Sequence, residues 1–126
     1  MPESRDTQLL KGVLPMLALA AVARAETYGY ELVTTLREAG LDDLSTGTLY
    51  PVLTRLERDG LLTSRLVASQ SGPARKYYRP SDTGLQALAD HRAAWAELVA
   101  VTARVLDGPT SEPTGAGAPD AARRLP

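Results

Sequence analysis

The chain has 126 residues, enough for one domain with a modest core. It contains no cysteine and a single histidine, His91, which excludes disulfides, thiolate metal sites and histidine metal clusters, and leaves few groups for an enzyme to use. With 14 basic and 15 acidic residues the net charge is −1, so an anionic partner must be met by a local patch rather than by the whole molecule.

The opening MPESRDTQ is polar and lacks the apolar core of a signal peptide, so a cytoplasmic protein is expected. A helix is predicted over about Thr7 to Ala25, because Leu9, Leu10, Val13, Leu14, Leu17, Ala18 and Ala21 recur at helical spacing. The stretch from Leu9 to Ala25 is also the best candidate for a membrane span. Lys11, Gly12, Pro15 and Arg24 interrupt it, and no spanning segment is expected. Pro15 either bends this helix or marks where its regular part begins.

A second helix is predicted from Tyr28 to about Ala39, with Thr27 as its N-cap and Gly29, Leu32, Val33 and Leu36 as its inner stripe. Gly29 on the buried side predicts a close approach by another helix. Gly40 ends the segment where a left-handed cap suits glycine.

The stretch GTLYPVLTRLERDGLL holds the third helix. Leu49, Val52, Leu53 and Leu56 form its core stripe. Gly47, Pro51, Thr54 and Arg58 point the opposite way, flanked by Thr48 and Arg55 on one side and Tyr50 on the other. If Thr48 is the N-cap, Pro51 falls in the first turn at no cost. If the helix begins at Ser45 or Thr46, Pro51 removes a bond to the carbonyl of Gly47.

A hairpin follows. Leu62, Ser64, Leu66 and Ala68 alternate with Thr63, Arg65 and Val67, and Gln70-Ser71-Gly72-Pro73 is turn chemistry. On the return strand Arg75, Tyr77 and Arg79 share one face and Lys76 and Tyr78 the other, with Tyr78 expected in the core. From Arg55 to Arg79 six basic residues face two acidic ones, the local patch that the net charge conceals.

Pro80 stops the strand and Ser81 can cap a fourth helix reaching about Leu106. Leu85, Leu88, Arg92, Trp95, Val99, Thr102 and Leu106 make a heptad seam, with Leu98, Val101 and Val105 beside it. One helix with two apolar faces predicts dimerisation. Residues 107–126 are rich in Gly, Pro, Ala, Thr and Ser and are expected to be disordered.

The expected fold class is therefore mainly α with a small β-hairpin wing: a winged helix-turn-helix over residues 1–80, a C-terminal dimerisation helix over 81–106, and a tail. Such a domain places its third helix in the major groove and its wing along the backbone or in the minor groove. Thr48, Thr54, Arg55 and Arg58 have chemistry that serves phosphates or base edges.

The blocks TYGYELVTTL, GTLYPVLTRLERDGLL and GPARKYYRPSDTG, in this order within roughly Leu9 to Leu106, resemble the PadR family of bacterial transcriptional regulators. The resemblance implies a homodimeric winged-helix repressor of double-stranded operator DNA, released by a small aromatic or amphipathic effector, with no cofactor and no membrane partner. It assigns Ser45, Thr46, Thr48, Tyr50 and Arg55 to the recognition helix and its lead-in, and Arg75, Lys76 and Tyr77 to the wing. Tyr50 either hydrogen-bonds a phosphate or packs at the rim between helices, and Glu57 and Asp59 compete with DNA for Arg58. Pro15 and Pro80 depart from the family's usual residues.

The same resemblance makes Trp95 a candidate for stacking on a planar effector between subunits, with Arg92, Val99, Val13 and Met16 nearby; the alternative is a plain interface anchor, which needs no ligand. The expected dimer interface comprises Leu9, Leu85, Leu88, Trp95, Leu98, Val99, Thr102 and Leu106. Two rivals are a winged-helix protein-interaction module that has lost DNA binding and a repressor that needs no ligand.

Overall fold

The computed structural model describes residues 7–108. Its elements are α1 (Thr7–Arg24), β1 (Thr27–Tyr28), α2 (Gly29–Glu38), α3 (Thr46–Arg58), β2 (Leu62–Ser69), β3 (Gly72–Pro80) and α4 (Asp82–Asp107). The described chain divides into two compact units between His91 and Arg92, within α4. The expected disordered tail lies almost wholly outside the described residues.

The first unit is built on a core of leucines. Leu14, Ala18, Leu19 and Val22 of α1 pack with Leu32, Val33 and Leu36 of α2 and with Leu49, Leu53 and Leu56 of α3. Leu44, Leu62 and Tyr78 complete it, together with Leu88 from the first turns of α4. Burying these side chains is the main force holding the helices together.

Glycines fix both stops in the helical region. The amide of Gly40 bonds the Arg37 carbonyl at 3.0 Å while Leu41 reaches back to Leu36 at 3.0 Å. The same pair recurs after α3, with Gly60 on Glu57 at 3.0 Å and Leu61 on Leu56 at 2.9 Å. This is the Schellman arrangement, which needs a positive φ, and Gly40 and Gly60 supply 131° and 81°. The leucine after each glycine, Leu41 and Leu61, packs against the core.

Several expectations are corrected. α1 spans Thr7–Arg24, close to the range expected, but it is helical on both sides of Pro15, so its regular part does not begin at the proline. By length and by a mean hydropathy of 1.2, α1 does qualify as a candidate span, because averaging over 18 residues dilutes Lys11 and Arg24. Its apolar side is nevertheless the core of the first unit. Thr27 is not the N-cap of α2: that place falls to Tyr28, whose side chain makes no capping bond. Thr27 is instead buried in β1, and its hydroxyl donates to Glu31 at 2.5 Å.

β1 went unforeseen. It pairs antiparallel with β3, Thr27 opposite Tyr78 and Tyr28 opposite Tyr77, giving a three-stranded sheet in the order β1-β3-β2. The hairpin has the expected strands, with Ser64 opposite Tyr78 and Leu66 opposite Lys76. A β-bulge lies between Val67 and Ser69, and the turn is confined to Gln70 and Ser71.

Leu88 was expected at a dimer interface. It is only 7% exposed and belongs to the core of its own unit, because the helical turn that carries Gly84 and Leu88 packs inward. Ser81 sets that turn: its hydroxyl accepts the Gly84 amide at 2.9 Å and donates to the Gly60 carbonyl at 2.6 Å.

Candidate nucleic-acid interface

Ser45 decides how α3 begins. It is the N-cap, its hydroxyl accepting the Thr48 amide at 3.2 Å and lying 3.1 Å from the Thr48 hydroxyl. Thr46 is then the first helical residue and Pro51 sits past the first turn, so the second of the two readings of Pro51 holds. The Gly47 carbonyl loses its helical partner there. Arg37 steadies the lead-in by donating from Nε to the Leu44 carbonyl at 2.6 Å.

With Leu49, Leu53 and Leu56 sealed in the core, the other face of α3 is turned to solvent. Thr46, Thr48, Tyr50, Thr54, Arg55 and Arg58 are all exposed. Arg58 lies 3.8 Å from Asp59, a loose pair between two exposed side chains. Arg55 has no carboxylate within salt-bridge distance among the described residues.

The wing stands beside this face. Arg75 places its guanidinium 4.6 Å above the Tyr28 ring, and Tyr28 packs on Tyr77 with centroids 5.1 Å apart. A groove of about 480 Å³ opens between the start of α2, α3 and β3. Tyr28, Tyr30, Tyr50, Arg75 and Lys76 line it, and among the described residues no carboxylate does. Tyr28 and Tyr30 were missed by sequence reasoning; the only cue was two aromatics flanking Gly29.

Lys76 is not a free cation. Its ammonium lies 2.8 Å from one oxygen of Glu57, whose other oxygen accepts the Ser64 hydroxyl at 2.5 Å. These bonds, Lys76 first, hold the Glu57 carboxyl below its ordinary range, and Glu57 in turn raises Lys76. Arg65 is bound in the same way, to Glu26 by two bonds of 2.8 and 3.0 Å. That pair lowers Glu26 and raises Arg65. Burial pushes the Tyr78 hydroxyl up, in keeping with its place in the core.

The residues expected at an effector site fall on separate elements. Val13 and Met16 are partly buried on α1, and Arg92, Trp95 and Val99 are exposed on the second unit's portion of α4. Trp95 is 46% exposed. Of the expected interface residues, Leu9, Leu85, Leu98, Val99, Thr102 and Leu106 are exposed as well.

Comparisons with known proteins agree with this architecture. A profile of the transcriptional regulator PadR-like family matches residues 18–90. The transcriptional regulator Rv3488 of Mycobacterium tuberculosis is 43% identical over 94 residues, covering 73% of this chain and 80% of that protein. A crystal structure of a PadR-like transcriptional regulator from Bacillus cereus superposes with a TM-score of 0.71 at 38% identity, covering 81% of this chain and 99% of its own. A PadR family regulator from Eggerthella lenta gives 0.73 at 38% identity, over 79% and 86% of the two chains. With a winged-helix unit in place and more than half its length matched, the chain belongs to the PadR-like family of transcriptional regulators, not to a family of enzymes.

Proposed function

We propose that the protein is a cytoplasmic, homodimeric repressor that reads double-stranded operator DNA with α3 and steadies itself on the backbone with its wing. One observation carries this reading: α3 buries its leucine face and offers solvent a face of hydroxyls and guanidinium groups on which Arg55 has no carboxylate partner among the described residues. An unpaired arginine keeps both its charge and its planar fork for phosphate or guanine. Ser45, Thr46, Thr48 and Tyr50 supply the hydroxyls at the lead-in, Arg58 extends the face, and Arg75 and Tyr77 belong to the wing.

Titration of the protein's own promoter region tests it. Arg55→Ala combined with Arg75→Ala abolishes specific binding on this reading; specific binding that survives both substitutions sinks the assignment.

Dimerisation through α4 and release by an effector complete the proposal. The exposed Leu85, Leu98, Val99 and Leu106 support the first, since solvent contact over so many apolar side chains on one helix is unfavourable. Half-exposed Trp95 supports the second: with Arg92 and Val99 on the same helix it offers a flat apolar face to an aromatic molecule. Trp95 is the sole tryptophan, so its fluorescence reports directly. A planar cationic or phenolic compound should quench it and release DNA together. If none does both, the protein represses without a ligand.

A further inference from the structure

Four cations stand on the two strands of the wing, Arg65 on β2 and Arg75, Lys76 and Arg79 on β3. They are divided two and two. Arg65 is held by Glu26 and Lys76 by Glu57, whereas Arg75 and Arg79 have no carboxylate within salt-bridge distance among the described residues.

Glu57 is more than a loose surface partner. It sits in the last turn of α3 with its side chain 31% exposed, and it is gripped from both strands at once. Ser64 on β2 and Lys76 on β3 are diagonal neighbours on one face of the hairpin, since Ser64 faces Tyr78 and Leu66 faces Lys76. The Lys76 ammonium also lies 5.6 Å from the Tyr78 ring centroid. The reading helix therefore holds a wing lysine by its charged end.

We propose that Glu57 is a positioning residue that sets the DNA affinity and its salt dependence: it docks the wing against α3 and withholds Lys76 from DNA phosphates. This rests on the DNA reading given above. Binding to random DNA is almost wholly phosphate neutralisation, so each free cation strengthens it directly. Specific binding also depends on base contacts that an additional phosphate contact does not improve. Withholding one lysine thus lowers affinity for operator and random DNA alike by one phosphate contact, and leaves discrimination to the base contacts of α3.

The experiment measures affinity for the promoter fragment and for random duplex DNA as salt is varied, using the full chain. Glu57→Gln keeps the size of the side chain and an oxygen for Ser64 but releases Lys76. It should tighten binding to both DNAs severalfold at about 0.1 M salt and steepen the log–log salt slope by about 0.9, the value for one more phosphate contact. Lys76→Ala alone should leave the slope unchanged, and the double variant should return to the wild-type slope. A slope that falls by about 0.9 in Lys76→Ala overturns the proposal, because Lys76 then leaves Glu57 for DNA. So does a gain in Glu57→Gln that survives Lys76→Ala, since mere loss of negative charge would explain it, and so does an unchanged slope in Glu57→Gln. Arg55→Ala runs alongside: if it weakens promoter binding, the DNA reading stands whatever Glu57 does, and if it does not, that reading fails first.

Discussion

Gly29 and Tyr50 touch so closely that a Cβ on residue 29 would lie 2.5 Å from Cε1 of the tyrosine ring and 2.9 Å from Cζ. The contact joins the first residue of α2 to the solvent face of α3. A methyl group there must push the ring. Tyr50 is 47% exposed, so the ring has solvent to move into, and the helices need not part. Gly29→Ala should therefore cost only about 1 kcal/mol, the low end for overpacking. Its effect on DNA should be larger in proportion, because the displaced ring lies on the proposed reading face. A double-mutant cycle with Tyr50→Ala checks this by thermal melting: the cost of Gly29→Ala should largely vanish when the ring is gone.

Gly84 presents the opposite case. A Cβ there would lie 2.0 Å from the Leu61 carbonyl oxygen, which already accepts the Ser81 amide at 3.0 Å. Backbone cannot swing aside as a ring does. Gly84→Ala should lose about 3 kcal/mol or more. Gly47→Ala, where the nearest atom to a new Cβ is Ser45 Oγ at 3.8 Å, should be neutral or gain up to about 1 kcal/mol from helix propensity. Urea unfolding separates them; equal midpoints would refute the Gly84 contact.

The helices and the hairpin could be read from sequence because each carries its own period and its own stop. Gly40 and Gly60 end α2 and α3 through local bonds, and the leucine stripe of α3 names its inner face. β1 could not be read, since two residues have no period and Thr27-Tyr28 becomes a strand only when β3 lies alongside. Leu88 was misplaced for a related reason. A heptad seam says which residues share a side of α4, not where one turn packs inward and the next remains open. On the candidate interface, the exposed face of α3 followed from its stripe. The capture of Lys76 by Glu57 did not, because 19 residues of chain separate two groups that only the folded wing brings together.

The Glu57–Lys76 pair has a pH signature. Lys76 and Ser64 depress the native carboxyl, so its stabilisation is fully present above the unfolded-chain value of about 4.3 and is lost as pH falls through the lower native value. Both side chains keep solvent contact, so the contribution should be below about 1 kcal/mol. Wild type should exceed Glu57→Gln by this small, constant margin from about pH 5 to 7, and the margin should close below about pH 4. Denaturant melts across that range check it, and a margin that grows on acidification contradicts the sign.

Leu88 and Leu98 lie ten residues apart on α4 and should respond to substitution in different ways. Leu88 is buried among the leucines of the first unit, so Leu88→Ala leaves a cavity and should cost about 2–5 kcal/mol. Its effect on association should be no more than that loss of fold explains. Leu98 is 56% exposed in the second unit, beside Val101 and Val105 along the same helix. Leu98→Glu removes no core contact within the chain and should leave the melting of a dilute sample almost unchanged. On a dimer interface, however, a buried carboxylate without a partner is unfavourable enough to split the pair. Sedimentation should then report monomer, and promoter affinity should fall by a factor of about 100 or more, since two linked half-site contacts become independent ones. A Leu98→Glu protein that still sediments as a dimer would move the interface away from this stripe, whatever Leu88→Ala does to stability.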